Sequence, residues 1–378
     1  MSLQGSRSSR DSAGMKALVK LALAVAVLAP IVAAPGCSAP SEETAPLVVA
    51  LPRVPQPGEF GVASHTYELV GPLVPKTTTM VTAWDLPQNP LTDITLDTRE
   101  DGERIKYGFR LFTNTPAETP RYTPSGMTCA NCHLNAGQRE LALPMVGSAG
   151  MFPEYNNRAG RRFSLEDRIV GCFYRSENAV HGPDNGGLQA ARAAAVPQPA
   201  SARNNEPPLP DVNSEEVVAL TAYLRYLSEG YTPGEDPPWR KKNRISREDL
   251  LPIDALDPTR GEAIYTELCV NCHGPDGQGV QVGDKKAGPL WGSRSWNDGA
   301  GMSRYYTLAG FIRYAMPYLD PGVLSDEDAQ HVSAFIISKP RPSYQYKNED
   351  YQTEPLPIDA AFYRLDVAEV AGTGSQPH

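Results

Sequence analysis

The chain contains the pentapeptide CANCH at residues 129–133 and the pentapeptide CVNCH at residues 269–273. In both, two cysteines stand three positions apart and a histidine directly follows the second cysteine. This C-x-x-C-H pattern is the attachment signature of c-type haem, in which both thiols form thioethers to the porphyrin and the histidine ligates the iron. A single match also fits a redox or zinc site, whereas two matches predict two covalently bound haem c groups. The predicted haem-binding residues are Cys129, Cys132, His133, Cys269, Cys272 and His273.

A similar order of elements surrounds each pentapeptide: a helix, the pentapeptide, a loop region and a closing helix. In the first half, residues 99–115 and 213–230 carry apolar side chains at helical spacing. In the second half, Asp257 begins a predicted helix and Ser325 caps the closing one. This order resembles a class I cytochrome c in each half, with a haem that supplies apolar surface to a small core.

The sequence therefore predicts a mainly α fold with two class I cytochrome c-like domains, each around one covalent haem, with long loops and an N-terminal extension. The 36 prolines and 32 glycines agree with long loops. The C-terminal tail lacks periodicity and is predicted to wrap the surface. The predicted boundaries are a signal segment at 1–40, an N-terminal extension at 41–95, the first cytochrome domain at 96–232, a linker at 233–255, the second cytochrome domain at 256–340 and the tail at 341–378.

The N-terminal segment predicts export. Lys16 and Lys20 flank the start of an apolar run that ends in small residues before Cys37. Lipid attachment at Cys37 and plain secretion are the two alternatives, and both place the mature protein in the periplasm. Membrane contact is predicted only through a lipid anchor at Cys37. The formal net charge of −9 argues against a nucleic-acid partner, since such a partner favours a basic face.

Met316 is the candidate distal ligand of the second haem. It precedes Pro317 and lies 43 residues after His273, on the loop before the closing helix. A thioether ligand is common in cytochromes c and raises the reduction potential. The competitors are Met302 and His331, and His331 is interpreted as a surface or capping residue of the closing helix.

Cys172 is the candidate distal ligand of the first haem. It lies 39 residues after His133, close to the spacing of Met316 in the other half, and no Met-Pro pair exists in the first half. Met145, Met151 and His181 are the other candidates. A buried, inert thiol is the commonest fate of a lone cysteine and stays open as an alternative.

The neighbours of Cys172 favour a functional role. If the segment after Ser164 is helical, then Arg168, Cys172 and Ser176 share one helix face. Between residues 158 and 175, five arginines stand against two acidic residues. A charge run is usually a solvated face, but this one surrounds the lone thiol and offers a place for an oxyanion to dock.

Four stretches together resemble the thiosulfate dehydrogenase (tetrathionate synthase) family of dihaem c-type cytochromes: CANCH, NNRAGRRFSLEDRIVGCFYRS at 156–176, CVNCH and GFIRYAMP at 310–317. The resemblance implies that Cys172 ligates haem 1 and that Arg158, Arg168 and Ser176 line a thiosulfate site. It also implies that haem 2 passes electrons out. Some members have lysine or asparagine where this chain has Ala315, so a lysine-to-methionine ligand switch is not expected.

The implied activity is oxidation of two thiosulfates to tetrathionate, with an external acceptor such as a small cytochrome c or a high-potential iron-sulfur protein. Cys172 is then both ligand and nucleophile. A plain electron-transfer cytochrome, a haem subunit of a sulfur-oxidising multienzyme complex and a dihaem peroxidase are the alternatives. The preferred direction, oxidation or tetrathionate reduction, depends on haem potentials that the sequence leaves open.

Overall fold

The computed structural model describes residues 86–120, 123, 125–179, 210–282, 285–344 and 346–363. The predicted signal segment with Cys37, most of the N-terminal extension and the candidate ligand His181 lie outside these residues. None of the helices in the described part of the chain combines the length and apolar character needed to cross a bilayer.

The first half forms around two helices that cross. In chain order its elements are α1 (Gly102–Thr113), α2 (Thr115–Glu118), α3 (Cys129–Cys132), α4 (Leu134–Gly137), β1 (Glu154–Asn156), β2 (Arg161–Phe163), α5 (Leu165–Arg175) and α6 (Glu215–Tyr226). Helix α1 packs against α6, and α5 packs on α6. Ile105, Phe109 and Phe112, which fall in the predicted helical segment 99–115, are all buried in this core, as their three- and four-residue spacing requires. The strands β1 and β2 form an antiparallel hairpin just before α5.

The second half repeats this plan. Its elements are α7 (Pro258–Leu268), α8 (Val270–His273), β3 (Gln281–Val282), β4 (Lys285–Lys286), α9 (Tyr305–Ala315) and α10 (Asp326–Ser338). Helix α10 packs against both α7 and α9. The predicted caps are confirmed: the Asp257 carboxylate accepts from the Thr259 and Arg260 amides, and the Ser325 hydroxyl accepts from the Asp328 amide. Each cap accepts hydrogen bonds from backbone N–H groups that have no partner within the first helical turn.

One glycine sits at the main helix crossing of each half. A Cβ on Gly108 of α1 would lie 2.0 Å from the carbonyl oxygen of Ala219 in α6. A Cβ on Gly261 of α7 would lie 2.0 Å from the carbonyl oxygen of His331 in α10. Because no side chain fits at that distance, glycine is required for the backbones to approach so closely.

Two predictions are wrong: the surface role for His331, one of the two roles predicted for it, and the course of the C-terminal tail. His331 is a buried residue rather than a surface one: its Nδ1 accepts from the Asp257 amide at 3.0 Å and so ties α10 to the start of α7. The tail beyond residue 340 is more than a surface wrap, since Tyr344 and Tyr346 are buried in the core of the first half. Aromatic rings at irregular spacing bury well without forming a helix, so periodicity did not reveal them.

Candidate active site

Helix α5 positions the candidate catalytic residues. The Ser164 hydroxyl accepts from the Asp167 amide, and the Asp167 carboxylate accepts in return from the Ser164 amide, which is a capping box. Leu165, Ile169 and Phe173 bury the inner face of the helix. On the opposite face, Arg168 is exposed and Cys172 is half-buried.

Cys172 and Arg168 meet on that face, as predicted. The Nη1 atom of Arg168 lies 3.4 Å from the Cys172 Sγ atom. The Ser176 amide donates to the Cys172 carbonyl at 2.8 Å, which places Ser176 one turn further along the same face. A cation at this position attracts oxyanions.

Two of the other arginines of this region form ion pairs, so the predicted excess of charge around Cys172 is partly neutralised. Arg161 pairs with Asp167, and Arg175 pairs with Asp350. Arg158 Nη1 donates to the carbonyl oxygen of Gly299 at 2.6 Å, not to Cys172. Asp350 lies 175 residues after Arg175 in the sequence, so the local charge count did not include it.

The first pentapeptide forms a helical turn that presents both cysteines and the histidine. His133 Nδ1 lies 2.6 Å from the Leu143 carbonyl oxygen, which only accepts, so Nδ1 carries the proton and Nε2 keeps its lone pair. Burial lowers the pKa of His133 to about 4. Such a neutral, oriented imidazole fits an iron ligand.

Cys172 and Arg168 interact electrostatically with this turn. Burial first, and then the charges of Glu177 and Cys172, raise the pKa of the Cys132 thiol. Arg168 adds to the burial that lowers the pKa of His133. Coulomb interactions weaken with distance, so these effects indicate that Cys172 and Arg168 lie near the turn. Met145, another candidate, lies two residues after Leu143, whose carbonyl oxygen contacts His133 Nδ1.

The second pentapeptide forms a similar turn in α8. Burial lowers the pKa of His273 to about 4, which again leaves a neutral imidazole. Met316 ends α9 and is half-buried among the residues that pack around Cys269 and Trp291. Its two predicted competitors have other roles: Met302 is buried in the core and His331 holds α7.

Buried donors in the second half match the carboxylate chemistry of a haem. Within the described residues, Arg341 Nε and Nη1 and Trp296 Nε1 have no hydrogen-bond partner. The Arg341 guanidinium lies 5.0 Å from the centre of the Trp296 ring, which packs in the same core as Cys269 and Met316. Buried donors need a partner, and haem propionates are carboxylates that a guanidinium and an indole N–H bind. The residues present therefore fit a covalent haem.

Sequence reasoning missed Glu177, which follows the helix that carries Cys172. Its carboxyl is buried, and within the described residues its Oε2 atom has no hydrogen-bond partner. Burial raises the pKa of Glu177 to about 8. A buried acid next to a candidate site is a signal for function, but the sequence shows no more than a glutamate after a helix.

Comparison with known proteins identifies families that match each half of the chain. Residues 119–232 match the model of the SoxA/TsdA cytochrome c domain, and residues 256–336 match that of subunit III of the cbb3-type cytochrome c oxidase. The chain is 35% identical over 259 residues to the thiosulfate dehydrogenase of Allochromatium vinosum, covering 66% of this chain and 82% of that protein. It is 35% identical over 242 residues to that of Stutzerimonas stutzeri, covering 64% of this chain and 68% of the relative.

A solved structure agrees with the sequence relatives. The thiosulfate dehydrogenase TsdBA from Marichromatium purpuratum, in its as-isolated form, superposes with a TM-score of 0.56 at 31% identity, covering 69% of this chain and 52% of that one. This chain thus spans about half the length of that protein. Two cytochrome c domains with covalent haem define a c-type cytochrome that acts as an oxidoreductase. The chain belongs to the thiosulfate dehydrogenase family.

Proposed function

We propose that this protein couples two thiosulfate dianions into one tetrathionate and passes the two electrons through its haems to an external acceptor. Family membership supports the substrate class. The observation that carries the proposal is the contact of 3.4 Å between Arg168 and the Cys172 sulfur on an accessible helix face. This pair offers a cation and a sulfur nucleophile at one place.

The arginines oppose the repulsion between the two substrates. Each thiosulfate carries two negative charges, so fixed cations must offset their mutual repulsion. Arg168 is exposed beside the thiol. Arg158 donates to the Gly299 carbonyl oxygen through Nη1, and its guanidinium carries further N–H donors that can bind a substrate oxygen. We assign Arg158, Arg168 and Ser176 to substrate binding.

Cys172 is assigned a covalent role. Its thiolate forms an S–S bond with the terminal sulfur of the first thiosulfate, and two electrons leave the pair. The terminal sulfur of the second thiosulfate then attacks that same sulfur, tetrathionate departs and the Cys172 thiolate is restored. All sulfur and oxygen atoms are conserved, and two electrons are released for each tetrathionate formed.

His133 and Cys172 would hold the first haem iron, and His273 and Met316 the second. When bound, the two haems supply one-electron acceptance and export. Two acceptors match the two electrons that one tetrathionate releases. A small cytochrome c or a high-potential iron-sulfur protein is the proposed external acceptor. The proposed location is the periplasm, with Cys37 as a site of lipid attachment or simply part of an export signal.

The test is a steady-state assay of the holoprotein with thiosulfate and ferricyanide, following tetrathionate formation beside Cys172→Ala. Turnover in the wild type and its loss in the variant, with both haems still attached, is the expected result. Substantial turnover by Cys172→Ala would exclude the covalent role. A wild type that exchanges electrons quickly but leaves thiosulfate unchanged would instead favour an electron-transfer cytochrome, and turnover only with added partner chains would favour a complex subunit.

A further inference from the structure

The turn that carries the first haem-binding histidine contacts the second half at two places. Asn131 Nδ2 donates to the Lys286 carbonyl oxygen at 3.4 Å, and a Cβ on Gly288 would lie 2.9 Å from the Asn131 side chain. At the other end of the turn, the Tyr318 hydroxyl donates to Asn135 Oδ1 at 2.8 Å. The segment 131–135 therefore lies between residues 286–288 and Tyr318.

Tyr318 is held by three separate contacts to one short segment. Besides the bond to Asn135, its carbonyl oxygen accepts from Arg139 Nη2 at 2.6 Å. The Arg139 guanidinium also lies 4.1 Å from the centre of the Tyr318 ring. Arg139 is fully buried, and a buried hydrogen bond to a charged donor is stronger than a neutral one. The tyrosine backbone, ring and hydroxyl are thus all fixed to residues 135–139.

The backbone of this turn is shaped to make the contact. Asn135 and Ala136 have φ values of 52° and 54°, in the left-handed region that asparagine enters more readily than most residues. The chain therefore bends sharply just after His133. Asn135 follows His133 by two residues, and Tyr318 follows Met316 by two residues. One hydrogen bond thus joins the neighbourhoods of the two candidate iron ligands.

We infer that Tyr318 is a positioning residue that fastens the Met316 segment of the second haem site to the His133 segment of the first, and so couples the two redox centres. This inference rests on the proposed ligation by Met316 and His133. The hydrogen bonds around a ligand control its orientation and tune the potential of the iron. A loop held from the other domain therefore holds its ligand more firmly than a free loop would.

Tyr318→Phe is the sharp test, because it removes the hydroxyl and keeps the ring beside Arg139. A net hydrogen bond contributes about 0.5–1.5 kcal/mol, so release of Met316 should become about 2- to 10-fold easier. The reduction potential of the second haem should fall, because methionine ligation raises it. Electron equilibration between the haems after a pulse of reductant should slow. The readouts are a potentiometric titration followed by spectra and a stopped-flow trace.

Tyr306→Phe is the matched control. Tyr306 is also half-buried and donates to the Leu251 carbonyl oxygen at 2.6 Å, a bond to the linker rather than to the first half. Its loss should leave the potential of the second haem and the equilibration rate unchanged. Equal shifts in Tyr306→Phe and Tyr318→Phe, or unchanged values in Tyr318→Phe, would overturn the inference.

A double-mutant cycle with Asn135→Gly tests the bond itself, since glycine tolerates the left-handed backbone. If the hydrogen bond couples the centres, Asn135→Gly should add little to the shift already caused by Tyr318→Phe. Fully additive shifts would show that Tyr318 acts without Asn135 and would refute the proposed tie. None of these measurements uses thiosulfate, so they test the role of Tyr318 even if the protein does not oxidise thiosulfate.

Discussion

Arg175 and Asp350 lie 175 residues apart in the sequence and form a bidentate ion pair, with both N–O distances at 2.7 Å. Arg175 ends the helix that carries Cys172, and Asp350 comes from the C-terminal tail. The same guanidinium donates to the Gly299 carbonyl oxygen at 3.0 Å and lies 3.9 Å from the centre of the Tyr344 ring. Two distant segments, the loop with Gly299 and the C-terminal tail, therefore fix the end of the helix that carries Cys172.

Asp350→Asn should destabilise the protein strongly. Asp350 is 6% exposed, and its replacement leaves the guanidinium of Arg175, whose side chain is only 13% exposed, without a counterion. Breaking such a pair costs about 3–5 kcal/mol of unfolding free energy, measured by urea denaturation of the holoprotein. Glu229→Gln is the control, since Glu229 pairs with Arg99 at the surface and an exposed pair contributes about 0–1 kcal/mol. Equal losses in both variants would contradict a special role for the Arg175 pair.

Arg168→Gln should impair thiosulfate turnover. The variant loses the cation that lies beside the Cys172 sulfur, and a hydrogen bond to a charged group contributes about 1.5–3 kcal/mol. We therefore expect kcat/KM for thiosulfate to fall about 10- to 100-fold. Arg162→Gln, on the exposed strand before the helix, is the control and should retain wild-type kinetics. Equal kinetics in Arg168→Gln and the wild type would remove Arg168 from the binding site.

Glu177→Gln should change how stability depends on pH. Burial raises the pKa of Glu177 to about 8 from an ordinary value of 4.5. Between these values the folded carboxyl keeps its proton and the unfolded chain releases it, so wild-type stability falls as pH rises from about 4.5 to about 8. The variant should lack this part of the decline and should gain stability over the wild type towards pH 8. Urea titrations across that range measure the pH profile of stability, with exposed Glu267→Gln as control. Parallel profiles for the wild type and Glu177→Gln would contradict the prediction.

Gly108→Ala should separate the two helices that cross in the first half. The new Cβ would lie 2.0 Å from the Ala219 carbonyl oxygen, so one helix must move. Overpacking of this kind costs about 1–3 kcal/mol and sometimes more, read from the urea midpoint. Gly301→Ala is the control, because nothing lies within 4 Å of its new Cβ. A Gly108→Ala protein as stable as Gly301→Ala would argue against the close crossing.

Arg341→Gln should lower the reduction potential of the second haem. Burial lowers the pKa of Arg341 to about 10, so the side chain stays charged at neutral pH. A buried cation favours the reduced form of a nearby iron centre and offsets propionate charge. Potentiometric titration checks the shift, with the exposed Arg247→Gln as the matched change of charge. An unchanged potential in Arg341→Gln would place Arg341 away from the haem.

The features that the sequence predicted are local ones. The pentapeptides, the caps at Asp257 and Ser325 and the helix that carries Cys172 depend on residues within a few positions of one another. Short-range hydrogen bonds and apolar periodicity determine such elements, so sequence reasoning found them.

The features that it missed join distant segments. The partner of Arg175 is Asp350, and the partner of Tyr318 is Asn135. His331 is buried because α7 begins against it, which no pattern within α10 indicates. Tertiary contacts of this kind have no local periodicity, and they place the tail and the junction between the halves.

The separation of Asp350 from Arg175 makes the end of the Cys172 helix depend on the tail. The carboxylate partner of Arg175 lies 175 residues after it in the sequence. Without that carboxylate the guanidinium of Arg175 has no counterion from the tail, and burying it costs free energy. A chain cut before Asp350 would therefore hold this end of the helix less firmly.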